Sequence, residues 1–394
     1  MTRSFLEDAL KAHLAWWGLK HFTSDTEYFA WQRETLSSTD LNYLNRQIER
    51  KRAGDRRDEI AFYDLTAQPH ILPVLYSQRY EYYSAIGSRV AAHIREAETI
   101  LDFGCGVGIL TTFYGRQFTD KQFLGIDRSL ASIAVAQQQA LKLGLTNVRF
   151  ECVDVESGAP SGSYDLIIST HALVQAEQDP GIPSRSWQTF ERARDARQQT
   201  KFEQRTAIGV RLDRLNEALT PNGRMIVFEK TRQLARRIPL QRAFAMRGLH
   251  LLQKPEPIRY SLVGEVSDDG PFYVMRKGSG ASLSWDESPE PDEGLPFERS
   301  NRKIVSTDPE MPVYENHWPS AQRVWEALSG KQITTETTRQ EPDGRQMHVE
   351  LGTAEGLSYL YCANTFDQRQ LVIVETARSA MLETYYQEIV SGRG

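Results

Sequence analysis

The sequence predicts an α/β fold in which a doubly wound sheet follows a helical N-terminal extension and precedes a small antiparallel α+β domain. Three observations carry that prediction. Ile100-Leu101-Asp102-Phe103-Gly104-Cys105-Gly106-Val107-Gly108-Ile109-Leu110-Thr111 is an apolar strand that ends in an acid and passes through a Gly-x-Gly-x-Gly turn into a helix. Further apolar strands follow at the spacing of alternating strand and helix units. Beyond Gly278 the composition turns polar, and a group of short strand-like runs succeeds it.

Residues 1–84 read as a helical extension rich in aromatics. Phe5, Leu6, Leu10, Leu14 and Trp17 recur at helical spacing, and Ser38-Thr39-Asp40 is placed to cap a helix carrying Leu41, Leu44 and Ile48. Arg50, Lys51, Arg52, Arg56 and Arg57 form a charged bend, and Tyr76, Arg79, Tyr80, Tyr82 and Tyr83 stand just before the first strand.

A backbone that leaves a buried strand, passes a bound cofactor at contact distance and enters a helix needs residues without Cβ atoms. The dinucleotide fingerprint would place another glycine at position 109, where this chain has Ile109, so the turn points away from NAD and toward S-adenosylmethionine. Lys121 to Asp127 reads as a second strand, ending where a carboxylate reaches ribose hydroxyls, with Arg128 beside it. Asn147 to Val155 reads as a third, with Asp154 placed to accept from an adenine amine and Val155 to flank the ring. Ser163 to His171 reads as a fourth, delivering Ser169, Thr170 and His171 to the carboxyl edge of the sheet beside the reacting atoms. Leu212 to Leu219 reads as a helix, Pro221-Asn222-Gly223 as a turn and Arg224 to Glu229 as a fifth strand.

This ordered set resembles the class I S-adenosylmethionine-dependent methyltransferases over about half of the chain. The resemblance implies a seven-stranded sheet with an antiparallel last strand in a core over residues 85–278, its sixth and seventh strands at Pro257 to Val263 and Pro271 to Met275. It implies that Asp102, Gly104, Cys105, Gly106 and Gly108 surround the methionine part of the cofactor, that Asp127 and Arg128 meet the ribose side, and that Asp154, Val155 and Ser169 complete the site. It also implies that the N-terminal extension covers the cofactor, with Tyr76 and Arg79 reaching it and Arg79 pairing with its carboxylate. Many members carry a histidine where this chain has Gln175.

In such a reaction an acceptor lone pair is aligned behind the electrophilic methyl group of S-adenosyl-L-methionine, leaving S-adenosyl-L-homocysteine, and positioning supplies much of the rate. His171, near-neutral when unperturbed, is the first candidate for a general base, with Glu229 and the tyrosines before the core as rivals.

An insertion at about residues 177–204 mixes Arg185, Arg192, Arg194, Arg197 and Arg205 with Glu191, Asp195 and Glu203. It reads either as a solvated helix with i,i+4 pairing or as a lid over the active site. Arg232 to Leu252 is basic and amphipathic, with Pro239 set to kink it, and reads as an outer helical layer or as a surface for an anionic substrate. Residues 279–306 have the composition of a linker, including Asp286, Glu287, Glu290, Asp292 and Glu293. Residues 307–394 then read as an α+β domain: a helix at Ala321 to Leu328, four strands at Ile333 to Thr338, Met347 to Leu351, Leu357 to Cys362 and Leu371 to Val374, a hairpin at Pro342-Asp343-Gly344, and a closing helix at Ala377 to Val390.

The 394 residues, 40% of them hydrophobic, suffice for more than one core, and a net charge of -5 argues against wholesale nucleic-acid binding. Cys105, Cys152 and Cys362 lack metal-site spacing and read as small buried residues, so no metal is expected. With no secretory apolar core and no run approaching a membrane span, the expected compartment is the cytoplasm.

The acceptor narrows by absence. Ser169-Thr170-His171-Ala172 is unlike the Asn/Asp-Pro-Pro-Tyr/Phe tetrapeptide that grips planar amines. The paired-glutamate loop of arginine methyltransferases and a Pro-Cys nucleophile are also missing. A small metabolite or natural-product intermediate, methylated on O, N or C, is the leading acceptor. An RNA or protein acceptor is the second reading, and a non-catalytic cofactor-binding partner protein the third. The N- and C-terminal additions are candidate homodimer surfaces.

Overall fold

Helices begin the chain because apolar residues recur every fourth position. In the computed structural model, which describes residues 3–53, 56–174, 179–261, 270–278, 283–289, 294, 296–297, 311–342 and 344–392, α1 (Arg3–Trp16) buries Leu6, Leu10 and Leu14, whereas Phe5, grouped with them by spacing, is 54% exposed. α2 (Asp25–Thr35), α3 (Ser38–Ala53), α4 (Arg56–Thr66), α5 (Leu72–Ser77) and α6 (Tyr80–Ala91) follow. The cap of α3 is Ser37, one residue before the expected one: its Oγ accepts from the Asp40 N–H at 3.1 Å while Asp40 Oδ2 accepts from the Ser37 N–H at 3.2 Å. Gln175, Glu177, Leu262, Val263, Asp343 and most of the expected linker lie outside the described residues.

The chain divides into two units, one of residues 1–179, 200–232 and 240–285 and one of residues 180–199, 233–239 and 286–394. The first is an α/β unit. β1 (Thr99–Phe103), α7 (Ile109–Gln117), β2 (Gln122–Asp127), α8 (Leu130–Lys142), β3 (Val148–Cys152) and β4 (Tyr164–Thr170) are followed by α9 (Ala196–Arg205), α10 (Ile208–Ala218), β5 (Leu219–Phe228), α11 (Leu234–Met246), β6 (Leu249–Leu251), β7 (Glu256–Pro257) and β8 (Pro271–Lys277). The eight strands run in the order β3-β2-β1-β4-β5-β8-β6, with β7 also paired to β8. β1 through β5 pair in parallel and β8 runs antiparallel to β5. Leu10, Leu14, Ile86 and Val90 of the N-terminal helices share one core with Ile100, Phe113, Phe123 and Ile226, so the extension is built into the sheet's helical layer.

Two expectations shift. The sixth strand lies at Leu249–Leu251 instead of Pro257 to Val263: Gly248, at φ +68°, ends the helical run, and Leu249 and Leu251 are buried around the less buried His250. The expected turn at Pro221 to Gly223 is an irregularity inside β5, where the register jumps from Tyr164↔Leu219 to Leu166↔Arg224 and Asn222 takes φ +64°.

The second unit carries β9 (Tyr314–Asn316), α12 (Ser320–Ala327), β10 (Gln332–Gln340), β11 (Gln346–Ala354), β12 (Leu357–Asn364), β13 (Arg369–Glu375) and α13 (Ser379–Ser391). Its sheet has five antiparallel strands in the order β10-β11-β12-β13-β9, one more than expected. Alternation gives the sheet two apolar faces. Tyr359, Tyr361 and Ile373 pack with Ala321 of α12, and Val349, Leu360 and Val372 with Leu382 and Tyr386 of α13.

The arginine-rich insertion is less solvated than its charge pattern suggests. Arg192 is 3% exposed, donates to the Ile182 carbonyl at 3.2 Å and pairs with the buried carboxylate of Asp367. Arg369, also buried, donates to the Trp187 carbonyl at 2.7 Å and to Gln322 Oε1 at 2.8 Å. Among the described residues no helix is long and apolar enough to cross a membrane. Replacing one member of a buried pair strands the other charge, so Arg192→Leu is expected to cost about 3 kcal/mol in urea unfolding followed by circular dichroism. A loss below about 0.5 kcal/mol would match a solvated arginine instead.

Candidate functional site

Parallel strands deliver their last residues to one edge, and in the first unit that edge opens into a cavity of about 360 Å³. Gly104, Gly106 and Gly108 all take left-handed φ values, +74°, +54° and +81°. The turn they make lets the Gly104 and Cys105 N–H groups both donate to the Ile126 carbonyl of β2, at 2.9 and 3.0 Å. The Gly106 N–H donates to Asp127 Oδ2 at 3.0 Å, and Asp127 Oδ1 accepts from the Ser129 N–H at 2.8 Å. The turn and the second acid are therefore one hydrogen-bonded unit.

The three glycines differ in what they face. A Cβ on Gly104 would lie 2.2 Å from the Ala172 methyl, and one on Gly108 2.9 Å from Ala136 Cβ and from Phe150 Cζ. A Cβ on Gly106 would meet nothing within 4 Å, and Gly106 lines the cavity. Gly108 is outside the lining and serves packing at the start of α7.

Asp102, Gly104, Cys105 and Gly106 line the cavity from β1 and its turn, Asp127 and Arg128 from β2, and Asp154 and Val155 from the loop after β3. Burial raises the Asp102 carboxyl to about 6; the nearby Asp127 charge adds to this, and the Thr111 hydroxyl, donating to Oδ2 at 2.5 Å, opposes it. Burial and the same two acids hold the Cys105 thiol well above its usual range, so it is protonated. Asp127 is likewise raised, mainly by burial. Arg128 pairs with Glu59 of α4. Asp154 accepts from the Glu156 N–H at 3.1 Å and the Ser157 hydroxyl at 3.0 Å.

The N-terminal helices supply the opposite wall. Tyr76 and Arg79 line it with Tyr63, Tyr82 and Tyr83. The Arg79 guanidinium lies 4.4 Å from the Tyr82 ring centroid and donates through Nη2 to His171 Nδ1 at 2.7 Å; it forms no ion pair with any described carboxylate. Because a guanidinium only donates, Nδ1 is the accepting nitrogen and the His171 proton sits on Nε2. The His171 ring packs against both Tyr82 and Phe228, with centroids 4.7 and 5.3 Å away, and those two rings also touch each other at 6.3 Å; its backbone is at φ +56°.

Besides Gly108, two expected site residues fall elsewhere. Alternation along β4 turns Ser169 away from the cavity, and Thr170 lines it instead. Ser169 Oγ donates to Glu229 Oε1 at 3.1 Å. That carboxylate, fully buried, also accepts from the N–H groups of Ala172 at 2.9 Å, Leu173 at 2.9 Å and Val174 at 3.1 Å. Glu229 is outside the cavity lining and holds the loop that carries His171.

Sequence reasoning missed Tyr63, Glu59 and Arg211. Arg211 of α10 lines the cavity while donating to Glu156 Oε1 at 2.9 Å through Nε and to the Leu173 carbonyl at 2.8 Å. Nothing in its spacing distinguished it from a solvent-facing arginine.

Residues 94–244 match the family model described as a methyltransferase domain. Trans-aconitate 2-methyltransferase of Deinococcus radiodurans is 36% identical over 89 residues, 23% of this chain and 32% of that protein. (S)-tetrahydroprotoberberine N-methyltransferase of Eschscholzia californica is 35% identical over 82 residues, 21% of this chain and 23% of that one. The chain thus spans about a third or less of the length of these curated relatives. Among solved structures, the S-adenosylmethionine-dependent methyltransferase SibL in its apo form aligns with a TM-score of 0.38 at 15% identity, over 55% of this chain and 62% of that one.

Two expectations follow from the geometry. Gly104→Ala should lose about 2 kcal/mol or more of stability from its clash and strained φ, whereas Gly106→Ala should lose about 1 kcal/mol yet obstruct cavity ligands. Denaturation and ligand titration of both variants check the contrast, which equal stability losses would contradict. Glu229→Gln, placing an amide donor against donating N–H groups, should destabilise by about 2 kcal/mol and lower activity without moving its pH dependence. A displaced pH profile would return Glu229 to a proton-transfer role.

Proposed function

We propose, on the premise that residues 94–244 form a class I S-adenosylmethionine-dependent methyltransferase domain, that the whole chain is an enzyme methylating an O, N or C nucleophile of a small molecule. The observation that carries this reading is a charge mismatch within one cavity. Arg79 is a buried guanidinium with no carboxylate partner among the described residues, and Asp102 is a buried carboxyl pushed toward its protonated form. A ligand bearing both a carboxylate and an ammonium satisfies both, and the methionine portion of S-adenosylmethionine bears both. Asp127 and Asp154 are the acceptors for ribose hydroxyls and the adenine amine, Val155 flanks the ring, and the open space at Gly106 admits the ligand against the backbone.

The bound cofactor supplies a methyl group on a positively charged sulfur. The chain's part is to hold an acceptor in line with it and to exclude water, for which the wall of Tyr63, Tyr76, Tyr82 and Tyr83 is suited. Burial raises the Tyr76 and Tyr82 hydroxyls to about 12, so they act as neutral donors. His171 is the proposed proton acceptor. Its Nδ1 lone pair is engaged by Arg79, and when Arg79 turns to an anionic group that lone pair is released. A cavity of this size walled by aromatic rings suits a small acceptor. The relatives named above are, by their names, methyltransferases of trans-aconitate and of (S)-tetrahydroprotoberberine, which supports that class.

Incubating the full chain with methyl-labelled S-adenosylmethionine and panels of small carboxylic acids, amines and phenols, alongside RNA and protein, tests the reading. Label is expected in the small-molecule pool. Transfer only to RNA or protein would move the acceptor to a macromolecule, and cofactor binding without any transfer would leave a binding protein. The Asp102 carboxyl makes cofactor affinity depend on pH. Ligand cations favour ionised Asp102, whose carboxyl is raised to about 6, so affinity is fully present above that pH and lost below it. Calorimetry should find binding at pH 5 about tenfold weaker than at pH 7.5, and Asp102→Asn should flatten that dependence.

A further inference from the structure

We propose that Glu336, His348 and Glu350, on one face of the antiparallel sheet in the second unit, form a binding site for one divalent transition-metal ion of the zinc type. One ligand atom from each side chain lies within 4.8 Å of the other two. The strand register brings them together: β10 and β11 place Glu336 directly opposite Glu350 and Thr338 opposite His348, and residues two apart on a strand share a face.

The details around His348 are those of a metal-binding imidazole. Its side chain is buried, 1% exposed. Nδ1 lies 2.7 Å from the Thr338 hydroxyl, which fixes the ring and accepts the proton when Nδ1 carries it. Nε2 is buried and makes no hydrogen bond. It stands 3.5 Å from Glu350 Oε2, and two atoms each about 2.1 Å from a tetrahedral zinc stand about 3.4 Å apart. The other oxygen of Glu350 is already occupied, accepting from Tyr359 Oη at 2.5 Å and Trp325 Nε1 at 3.0 Å, so the carboxylate is oriented with Oε2 toward the imidazole. Hydrogen-bonded ligands of this kind are the usual outer shell of a metal site. The Trp187 ring stacks on His348 at 3.7 Å between centroids, interplanar angle 1°, and roofs it.

Electrostatics point the same way. Two carboxylates directly opposite on adjacent strands repel, and the group set against the buried one is the His348 imidazole, a cation only when protonated. The nearby ammonium of Lys331 is turned to the Trp325 carbonyl at 2.6 Å and the Trp325 ring, 4.1 Å from its centroid. One imidazole and two carboxylates suit zinc and its first-row neighbours. Glu336 is exposed, so an ion has a path in and its side chain can close the last distance.

The test is calorimetric titration of the chelator-treated full chain with zinc chloride, in wild type, Glu336→Gln and His348→Gln, with melting temperature recorded for each. One equivalent should bind and raise the melting temperature of wild type, and both variants should bind at least about tenfold more weakly. Glu336 is exposed, so its variant should fold like wild type and keep the comparison valid if His348→Gln is unstable. No saturable binding, or equal affinity in wild type and Glu336→Gln, as zinc captured by Cys105, Cys152 or Cys362 would give, overturns the proposal.

Discussion

The site of the first unit depends on the backbone of the turn between β1 and α7. Three left-handed glycines at alternate positions let the chain fold back over the end of β2 and donate twice to the Ile126 carbonyl. That path places the Gly106 N–H on Asp127, so the first strand's turn and the second strand's acid are set by the same bonds. A side chain at Gly104 would collide with Ala172, which ties the turn to the loop after β4 as well. The turn therefore couples three strand ends by contact, and the cavity is what remains between them.

A second constraint holds the other side. Glu229, at the end of β5, gathers the N–H groups of three successive residues and the Ser169 hydroxyl. Burial raises the Glu229 carboxyl, and these donors, with no countercharge, offset part of that effect. The carboxylate serves to fix the left-handed backbone of His171 and present the imidazole to Arg79. The N-terminal helices then close the cavity with aromatic rings, and Arg79 is left as a buried cation facing ligand space. Polar groups at this edge thus separate into those that shape backbone, such as Glu229, and those left with unmet charge, such as Arg79 and Asp102.

Much of this was legible in the sequence, for identifiable reasons. Asp102, Asp127 and Asp154, at or just past the ends of their strands, announce themselves because apolar runs and glycine turns are local signals. The roles of Ser169 and Glu229 were not legible, since one residue of strand phase decides whether a side chain faces cavity or interior. Leu249–Leu251 and Tyr314–Asn316 are strands of three residues whose existence depends on a partner distant in sequence. Arg192 looked solvated because its partner, Asp367, stands 175 positions away. Long-range pairing of charges leaves no periodicity to read.

Everything proposed for the first unit requires that the cavity at the sheet's carboxyl edge bind the cofactor through Asp102, Asp127 and Asp154. Calorimetric titration of the folded full chain with S-adenosylhomocysteine, comparing wild type with Asp127→Ala, tests this most directly. Wild type is expected to show one site and the variant an affinity about tenfold or more weaker, the scale of a lost charge-assisted hydrogen bond. Wild-type protein that is folded yet binds no cofactor, or a variant that binds as tightly as wild type, would contradict binding through these acids.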